Sequence, residues 1–163
     1  FRSLLGAHIG VDPQHVHAYV LGEHGDSEVL TWSNIDIGGV PFEDFIAYRK
    51  LEFNEEIKNK IDDGVRNAAY KIIAGKGSTY YGIAGAVAKL VEVINRDNRA
   101  VLTVSTLKED VEGIKNVTLS LPHLIGGDGD LGVLPIRLSV KEKMLLKKSA
   151  EIIKEKIDEY KNK

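Results

Sequence analysis

The residues with the clearest chemical potential stand together in the segment Gly22-Glu23-His24-Gly25-Asp26-Ser27. Histidine is the side chain whose charge ordinarily changes near neutral pH, and its two ring nitrogens can serve different roles, one oriented by a carboxylate and the other facing a ligand. The glycines beside it let backbone and ligand approach closely. The pattern predicts a general acid/base, although the same residues also fit a surface histidine whose ring is bonded by Asp26 or by water.

Other chemically suggestive segments give weaker indications. Residues 127–132 match the letters of a dinucleotide-binding glycine motif, but a strand follows where that motif requires a helix, so we interpret them as a hairpin turn. His15 and His17 alternate along an apparent strand and could pinch a metal ion, but no third ligand has a matching spacing, and we predict no metal site. We assign no role to His8 or His123.

Composition narrows the possible functions. The chain has 163 residues and a formal net charge of −2, with acids and bases interspersed, so no basic patch indicates a nucleic-acid partner. It has no cysteine, which excludes disulfides and thiolate metal sites and is compatible with the cytoplasm. No apolar run is long enough to cross a bilayer, and the first residues are too few for a signal peptide. We expect a soluble protein without a membrane partner.

Short elements are predicted to position His24. The apolar residues 18–21 indicate a buried strand that ends where the histidine segment begins. Further extended stretches cover residues 29–32 and 35–37, and Pro41 fits the first turn of a short helix over 42–49. The helical spacing of Phe1, Leu4 and Leu5, together with the missing initiator methionine, predicts the end of a helix that begins upstream in a longer protein.

Helical periodicity dominates the middle of the chain. From Asn54 onward the apolar residues repeat every 3.6 positions and predict one buried stripe on a helix: Ile57, Ile61, Val65, Ala68, Ala69, Ile72 and Ile73. Gly75-Lys76-Gly77 breaks this pattern, and Ser78 is predicted to cap a second helix. The stripe of that second helix comprises Ile83, Val87, Leu90, Val91 and Ile94.

Strands and one long helix are predicted for the last third. Residues 101–105, 117–121 and 133–138 are predicted to be strands, the last two as an antiparallel hairpin. Ser139 and Glu142 have the spacing of a capping box that opens a final helix. Without repeats or shifts in composition, residues 1–163 form one predicted domain of the α+β class, with long helices packed on a mainly antiparallel sheet.

Taken together, four segments closely resemble the L-lactate dehydrogenases of the lactate/malate dehydrogenase family. They are Gly22-Glu23-His24-Gly25-Asp26-Ser27, Trp32-Ser33, Gly38-Gly39-Val40-Pro41 and Gly77-Ser78-Thr79-Tyr80-Tyr81-Gly82-Ile83-Ala84. The resemblance keeps the same order along essentially the whole chain and is looser beyond about Lys108. It covers the C-terminal half of that enzyme, which carries substrate binding and oligomerisation, and not its NAD-binding Rossmann half.

The resemblance implies roles for particular residues. His24 would give a proton to the pyruvate carbonyl while NADH delivers hydride, and would take the proton back in lactate oxidation. Thr79 would line the substrate pocket, and Ile83 would lie against the nicotinamide ring, where a dry surface favours the neutral reduced form. Arg2 and His17 match the basic pair that holds the effector fructose 1,6-bisphosphate in allosteric bacterial members, although both also fit ordinary surface residues.

Features of the family also fall outside this chain. They are an arginine directly before the match to Phe1, which binds the substrate carboxylate, an aspartate three residues earlier, which orients the histidine, and the loop that selects pyruvate over oxaloacetate. Losing the bidentate grip of the arginine and the partner of the imidazole would weaken positioning and protonation. The resemblance therefore implies a glycolytic, NAD-dependent parent enzyme, tetrameric in its family, whereas we expect the isolated chain to be inactive.

Two alternatives remain open from the sequence. A malate dehydrogenase of the lactate-dehydrogenase-like kind would share most of these motifs. A free-standing binding or oligomerisation domain would keep the fold without the chemistry, and its apolar residues Phe1, Leu4 and Leu5 would form an exposed patch that promotes association.

Overall fold

Two hydrophobic clusters organise the chain in the computed structural model, which describes residues 1–161. The first cluster consists of Leu5, Ile9, Val16, Ala18, Ile35, Ile37, Phe42 and Ile61. The second consists of Leu21, Val29, Val111, Val117, Leu119, Leu146 and Ala150. Residues 22–28, here called the His24 loop, connect Leu21 to Val29, so both ends of this loop are fixed by buried residues of the second cluster.

The chain opens with elements that lead to this loop. Helix α1 (Arg2–Ile9) ends at Gly10, whose left-handed conformation (φ 71°) closes it, and a 3-10 turn (Pro13–His15) follows. Strand β1 (Val16–His17) precedes β2 (Val20–Leu21), which pairs antiparallel with β3 (Val29–Leu30). The predicted buried strand before His24 is thus confirmed in its last two residues.

The next elements complete the first cluster. Strand β4 (Asp36–Ile37) pairs with β1 and with β5 (Val40–Pro41). The turn between β4 and β5 is Gly38-Gly39, with φ of 61° and 89°, as a two-residue hairpin requires. Helix α2 (Phe42–Arg49) has the predicted bounds, but Pro41 is its N-cap and not part of its first turn.

The predicted long helix from Asn54 is in fact two helices. Helix α3 (Glu55–Arg66) begins where the Asn54 side chain accepts the amide hydrogen of Ile57 at 3.0 Å, and α4 (Ala68–Lys76) follows after Asn67. Helix α5 (Tyr81–Asn95) begins three residues later than Ser78. The predicted Ser78 cap is wrong, because the N-cap is Tyr80 and the Ser78 hydroxyl lies 3.5 Å from the carbonyl of Thr79 instead.

The predicted buried stripe is confirmed on α3 at Ile61 and is wrong for most of α4. Ile61 is buried in the first cluster, but Ile72 and Ile73 on α4 are 43% and 46% exposed. The stripe of α5 is also largely exposed: Ile83 62%, Val87 52% and Val91 48%. Within α5 the fully buried residue is Val93, because only the end of this helix packs on the sheet formed by the last strands.

An antiparallel sheet and a long helix complete the fold. Strands β6 (Ala100–Val111), β7 (Ile114–Gly126) and β8 (Gly129–Val133) lie in the order β6-β7-β8, which confirms the predicted β7–β8 hairpin. The predicted position of the second strand is wrong, because β8 shares only Val133 with the predicted strand 133–138. Gly129 and Asp130, which were expected in the turn, pair with β7 instead. Helix α6 (Val140–Lys161) packs on β7.

The predicted capping box at the start of α6 is confirmed. Glu142 accepts the amide hydrogen of Ser139 at 2.8 Å, and the Ser139 hydroxyl accepts that of Glu142 at 3.3 Å. The fold is therefore of the expected α+β class, with helices on antiparallel sheets, and residues 1–161 contain no Rossmann unit. In this part of the chain no helix has both the length and the hydrophobicity that crossing a membrane requires.

Candidate active site

His24 is exposed near the middle of the His24 loop, just beyond the end of β2. The alternative interpretation from sequence paired its ring with Asp26. In the structure Oδ1 of Asp26 instead accepts the hydroxyl hydrogen of Tyr70, on α4, at 3.0 Å. The site thus presents the imidazole on the surface, with the neighbouring carboxylate engaged by α4.

One side of the loop is held by α6. The amide hydrogen of Glu23 is donated to the hydroxyl of the buried Ser149 at 2.7 Å, and the hydroxyls of Ser149 and Ser27 lie 3.0 Å apart. The Ser27 hydroxyl in turn donates to the carboxylate of Glu23. The residues immediately before and shortly after His24 are therefore connected to the same point on α6.

The other side of the loop is held by α3. The Arg66 guanidinium donates from one nitrogen, Nη1, to the carbonyls of Asp26 and Glu28, each at 3.0 Å. Its Nε donates to Asp62 at 2.8 Å, and Asp62 also accepts from the indole of Trp32 at 3.4 Å. These bonds fix the backbone of the loop on both sides of its turn and leave the His24 ring free to meet a ligand.

Glu28 is an unusual carboxylate at the end of this loop. Its Oε1 is buried and has no hydrogen-bond partner among the described residues. Burial raises the pKa of Glu28 above its ordinary value, while the nearby charges of Arg66, His24 and the Phe1 amino group oppose this effect. Glu28 is therefore close enough to His24 and to the start of α1 to interact electrostatically with both.

The other residues expected at the site lie farther along the chain. Thr79 is exposed in the connection between α4 and α5, and Ile83 is exposed in the first turn of α5. Helix α4 links this region to the His24 loop through the Tyr70–Asp26 hydrogen bond and ends just before Gly77. The described residues 1–161 thus connect α4 to the His24 loop but contain no hydrogen bond between His24 and Thr79 or Ile83.

The proposed effector pair lies where α1 contacts the 3-10 turn and β1. The Arg2 guanidinium donates to the Pro13 carbonyl from Nε at 3.0 Å and from Nη2 at 2.6 Å, and His17 is exposed on β1. The idea that His15 and His17 share a strand face is wrong, because His15 lies in the 3-10 turn. No group of three potential metal ligands forms among residues 1–161.

His123, to which the sequence assigned no role, is a fully buried residue of β7. Its Nδ1 lies 2.7 Å from the carboxylate of Asp130, and its Nε2 lies 3.3 Å from the hydroxyl of Thr106. The hydrogen bond from His123 holds the pKa of Asp130 below its ordinary value. Asp130 lies on β8 opposite Ile125 of β7, just beyond the turn of residues 127–128, so the contact between His123 and Asp130 links β7 to β8.

Two residues that hold the His24 loop were missed from the sequence. Ser149 lies 126 positions from Glu23, and no periodic pattern marks a buried serine on an otherwise amphipathic helix. Arg66 follows the acidic residues of α3 by helical spacing, which is typical of an ordinary surface ion pair. The one signal for Ser149 is its position next to Ala150 on the inner face of α6, where a buried serine needs a polar partner.

Fold and site together define an α+β domain that presents an exposed histidine on a loop hydrogen-bonded to both α3 and α6. The chain belongs to the family described as lactate/malate dehydrogenase, alpha/beta C-terminal domain, which its sequence matches over residues 1–163.

Named relatives agree with this assignment. The chain is 51% identical over 158 residues to an L-lactate dehydrogenase of Geotalea daltonii, which covers 97% of this chain and 50% of that protein. It is 49% identical over 154 residues to an L-lactate dehydrogenase of Thermus aquaticus, with 94% of this chain and 50% of that protein covered. The chain therefore spans about half the length of the curated relatives it matches.

Solved structures share the fold. A lactate dehydrogenase enzyme from a Medee basin deep-sea metagenome library superposes with a TM-score of 0.90 at 35% identity, covering 96% of this chain and 50% of that one. The minor L-lactate dehydrogenase from Enterococcus mundtii gives a TM-score of 0.88 at 33% identity, with the same coverage of 96% and 50%. Both comparisons place the similarity in one half of a longer protein.

Proposed function

We propose that this chain is the substrate-binding half of an NAD-dependent L-lactate dehydrogenase, with His24 as the acid/base that exchanges a proton with the substrate. The observation that carries the proposal is the exposed imidazole on a loop held by both α3 and α6, in a chain 51% identical to the matching half of an L-lactate dehydrogenase. The substrate pair would be pyruvate and L-lactate.

The proton step follows from the position of His24. A protonated imidazole donates to the carbonyl oxygen of pyruvate as negative charge develops there, and the neutral ring accepts the proton from the lactate hydroxyl in the reverse direction. Glu28 lies close to this ring, since the charge of His24 is one of those that oppose the rise in the pKa of Glu28 caused by burial. A nicotinamide cofactor bound in the parent protein would supply the hydride as NADH in pyruvate reduction and accept it as NAD⁺ in lactate oxidation.

The surface of α5 fits the apolar part of that cofactor. Ile83 is 62% exposed, and Val87 and Val91 continue the same exposed face, so an uncharged ring can pack there without displacing protein. The described residues contain no glycine-rich turn that opens a helix toward a pyrophosphate, so the rest of the cofactor would be held by the other half of the parent protein. Thr79 would contribute its hydroxyl to the substrate pocket.

The start of α1 supports the expected position of the substrate-binding arginine. The Phe1 amino group is close enough to Glu28 for each to influence the other, since Glu28 opposes the burial that lowers the pKa of this group. A residue joined to Phe1 in the parent would enter beside the His24 loop. An arginine there would meet the substrate carboxylate and partly neutralise Glu28.

The effector site is a further part of the proposal. Arg2 and His17 would bind a phosphate group of fructose 1,6-bisphosphate, for which Arg2 retains guanidinium hydrogens beyond those donated to Pro13. The family tetramer would bring such pairs together across a subunit interface. A glycolytic enzyme of this kind would act in the cytoplasm.

The proposal is tested first by reading the coding sequence upstream of Phe1 and then by assaying NADH oxidation with pyruvate. We expect the full-length protein to be active, its His24→Asn variant to lose about 10²- to 10⁴-fold in kcat/KM, and the 163-residue chain to be inactive. His15→Asn, an exposed histidine outside the site, is the matched control and should retain activity. Equal activity of the His24→Asn variant and the control would refute the assignment.

The same assay separates the alternatives. A preference for oxaloacetate over pyruvate would identify a malate dehydrogenase. The exposed apolar faces of α4 and α5 favour the other candidate, a free-standing association domain. A start codon directly before Phe1 and a self-associating, inactive product would support that role instead.

A further inference from the structure

Ser149 is a buried hydroxyl with an unusual set of partners. It lies on the inner face of α6, has no exposed surface, and is 126 residues from Glu23 and 122 from Ser27 in the sequence. Buried polar groups require hydrogen-bond partners, and a serine within a helix usually finds one on its own helix. Ser149 instead bonds to residues on both sides of His24.

The hydrogen bonds among Glu23, Ser27 and Ser149 form one closed ring, in which each hydrogen can be assigned to a donor. The Glu23 amide has only a hydrogen to give, so the Ser149 oxygen accepts it at 2.7 Å. The Glu23 carboxylate has only lone pairs, so the Ser27 hydroxyl donates to it. The Ser149 hydroxyl hydrogen is then directed to the Ser27 oxygen, 3.0 Å away. Every donor in the ring has an acceptor.

Gly22 shows how closely α6 approaches the loop. A Cβ atom at Gly22 would lie 2.5 Å from the Ser149 hydroxyl oxygen and 3.1 Å from its Cβ. The backbone of Gly22 also pairs with Ser120 on β7, with two hydrogen bonds of 2.9 Å. The loop is therefore pressed between α6 and β7 directly before His24, and small shifts of α6 must be transmitted to it.

We propose that Ser149 is a positioning residue for His24 and that, through it, the final helix sets the place of the imidazole. This inference rests on the proposed function of His24. Ser149 does not touch substrate; it fixes Glu23 and Ser27 and thereby the backbone between them. Displacement of a catalytic group by about 1 Å can reduce the rate about 10²-fold. Loss of one hydroxyl on α6 can therefore slow the reaction without touching the substrate.

The test compares Ser149→Ala with Ala150→Gly. Both positions are fully buried on α6, and Ala150→Gly weakens the helix without removing a bond to the loop. In the 163-residue chain, NMR should show faster exchange of the Glu23 amide and shifted His24 ring signals for Ser149→Ala only. In the full-length dehydrogenase, kcat should fall at least about 10-fold for Ser149→Ala and less than about 3-fold for Ala150→Gly.

A double-mutant cycle excludes a merely structural role. In a His24→Asn background, Ser149→Ala should cause no further loss, because it acts through the missing ring. A further loss as large as in the wild type, or equal effects of Ser149→Ala and Ala150→Gly, would overturn the proposal. If Ser149→Ala fails to fold, Ser27→Ala is the second variant, because it removes the other hydroxyl of the ring from a half-buried position. It should change the NMR signals and kcat in the same direction but by a smaller amount.

The two hypotheses fail in distinguishable ways. If His24→Asn retains full activity, the proposed function of His24 is wrong, and the NMR comparison alone then decides whether Ser149 fixes the loop. If His24→Asn is inactive while Ser149→Ala behaves like Ala150→Gly in both measurements, the proposed function stands and the positioning role is refuted.

Discussion

Replacing Gly22 with alanine should destabilise the chain more than any comparable glycine substitution at the surface. Gly22 has φ of 89°, a conformation that side chains with a Cβ rarely adopt. Gly39 has the same φ of 89°, but no atom lies within 4 Å of the position that a Cβ would occupy there, so Gly39→Ala is a matched control. The pair separates the cost of the backbone conformation from the cost of the contact with α6.

The expected losses of stability follow from the cost of the backbone conformation and the cost of the contact with α6. A residue with a Cβ in the left-handed region costs about 1–2 kcal/mol, which should be the whole effect of Gly39→Ala. At Gly22 the added carbon would lie 2.5 Å from the hydroxyl oxygen of Ser149, a fully buried side chain. Overpacking of this kind costs about a further 1–3 kcal/mol, so Gly22→Ala should lose about 2–5 kcal/mol in total.

Urea unfolding of the chain measures both values. Trp32 is the only tryptophan and packs against Phe1 and Phe53, with ring centroids 4.8 Å and 5.8 Å away, so its fluorescence reports on the first cluster. Far-UV circular dichroism reports on the whole chain, and coincident transitions would justify a two-state treatment. Equal losses of stability for Gly22→Ala and Gly39→Ala would refute the close packing of α6 on the His24 loop.

Two carboxylates should show opposite pH dependence. Burial raises the pKa of Glu142, but hydrogen bonds from Ser33 and Ser139 outweigh this effect and hold the pKa below the ordinary value for glutamate. Ionised Glu142 therefore stabilises the fold at pH values above the ordinary pKa. This contribution is lost as the pH falls through the lowered pKa. Glu142→Gln should therefore cost about 1–2 kcal/mol at pH 7 and little in acid, as measured by urea unfolding, and a pH-independent loss would contradict this. Glu28 has a raised pKa, caused mainly by burial, so its ionisation destabilises the fold as pH rises above the ordinary value for glutamate. Glu28→Gln should raise stability at pH 7 by up to about 1 kcal/mol and leave it unchanged below about pH 4, whereas a loss at pH 7 would show that Arg66 and His24 compensate the charge.

Features set by short-range patterns were predicted from the sequence. The bounds of α2, the capping box of Ser139 and Glu142, the β7–β8 hairpin and the position of His24 after a buried strand each depend on residues close in the chain. Such patterns act through local conformation and periodicity, which the sequence records directly.

Features set by contacts between distant residues were not predicted. The break at Asn67 between α3 and α4 interrupts a periodic stripe without a glycine or proline to mark it. Ser149 and Arg66 form hydrogen bonds to the His24 loop from helices whose sequence patterns give no sign of these contacts. The stripe of α5 was correctly identified as apolar, but periodicity does not show whether the rest of this chain covers such a face, and here it is largely exposed.

The distribution of exposure explains why we expect this chain to lack activity alone. The part of the proposed site around His24 is already built, because α3 and α6 hold the His24 loop. The parts that would enclose a substrate are open: Thr79 is exposed, and the apolar face that begins at Ile83 lies in solvent. Proton and hydride transfer depend on a site from which water is excluded, since water weakens every electrostatic interaction within it. A surface that covers α5 would thus complete the site and stabilise the fold at the same time.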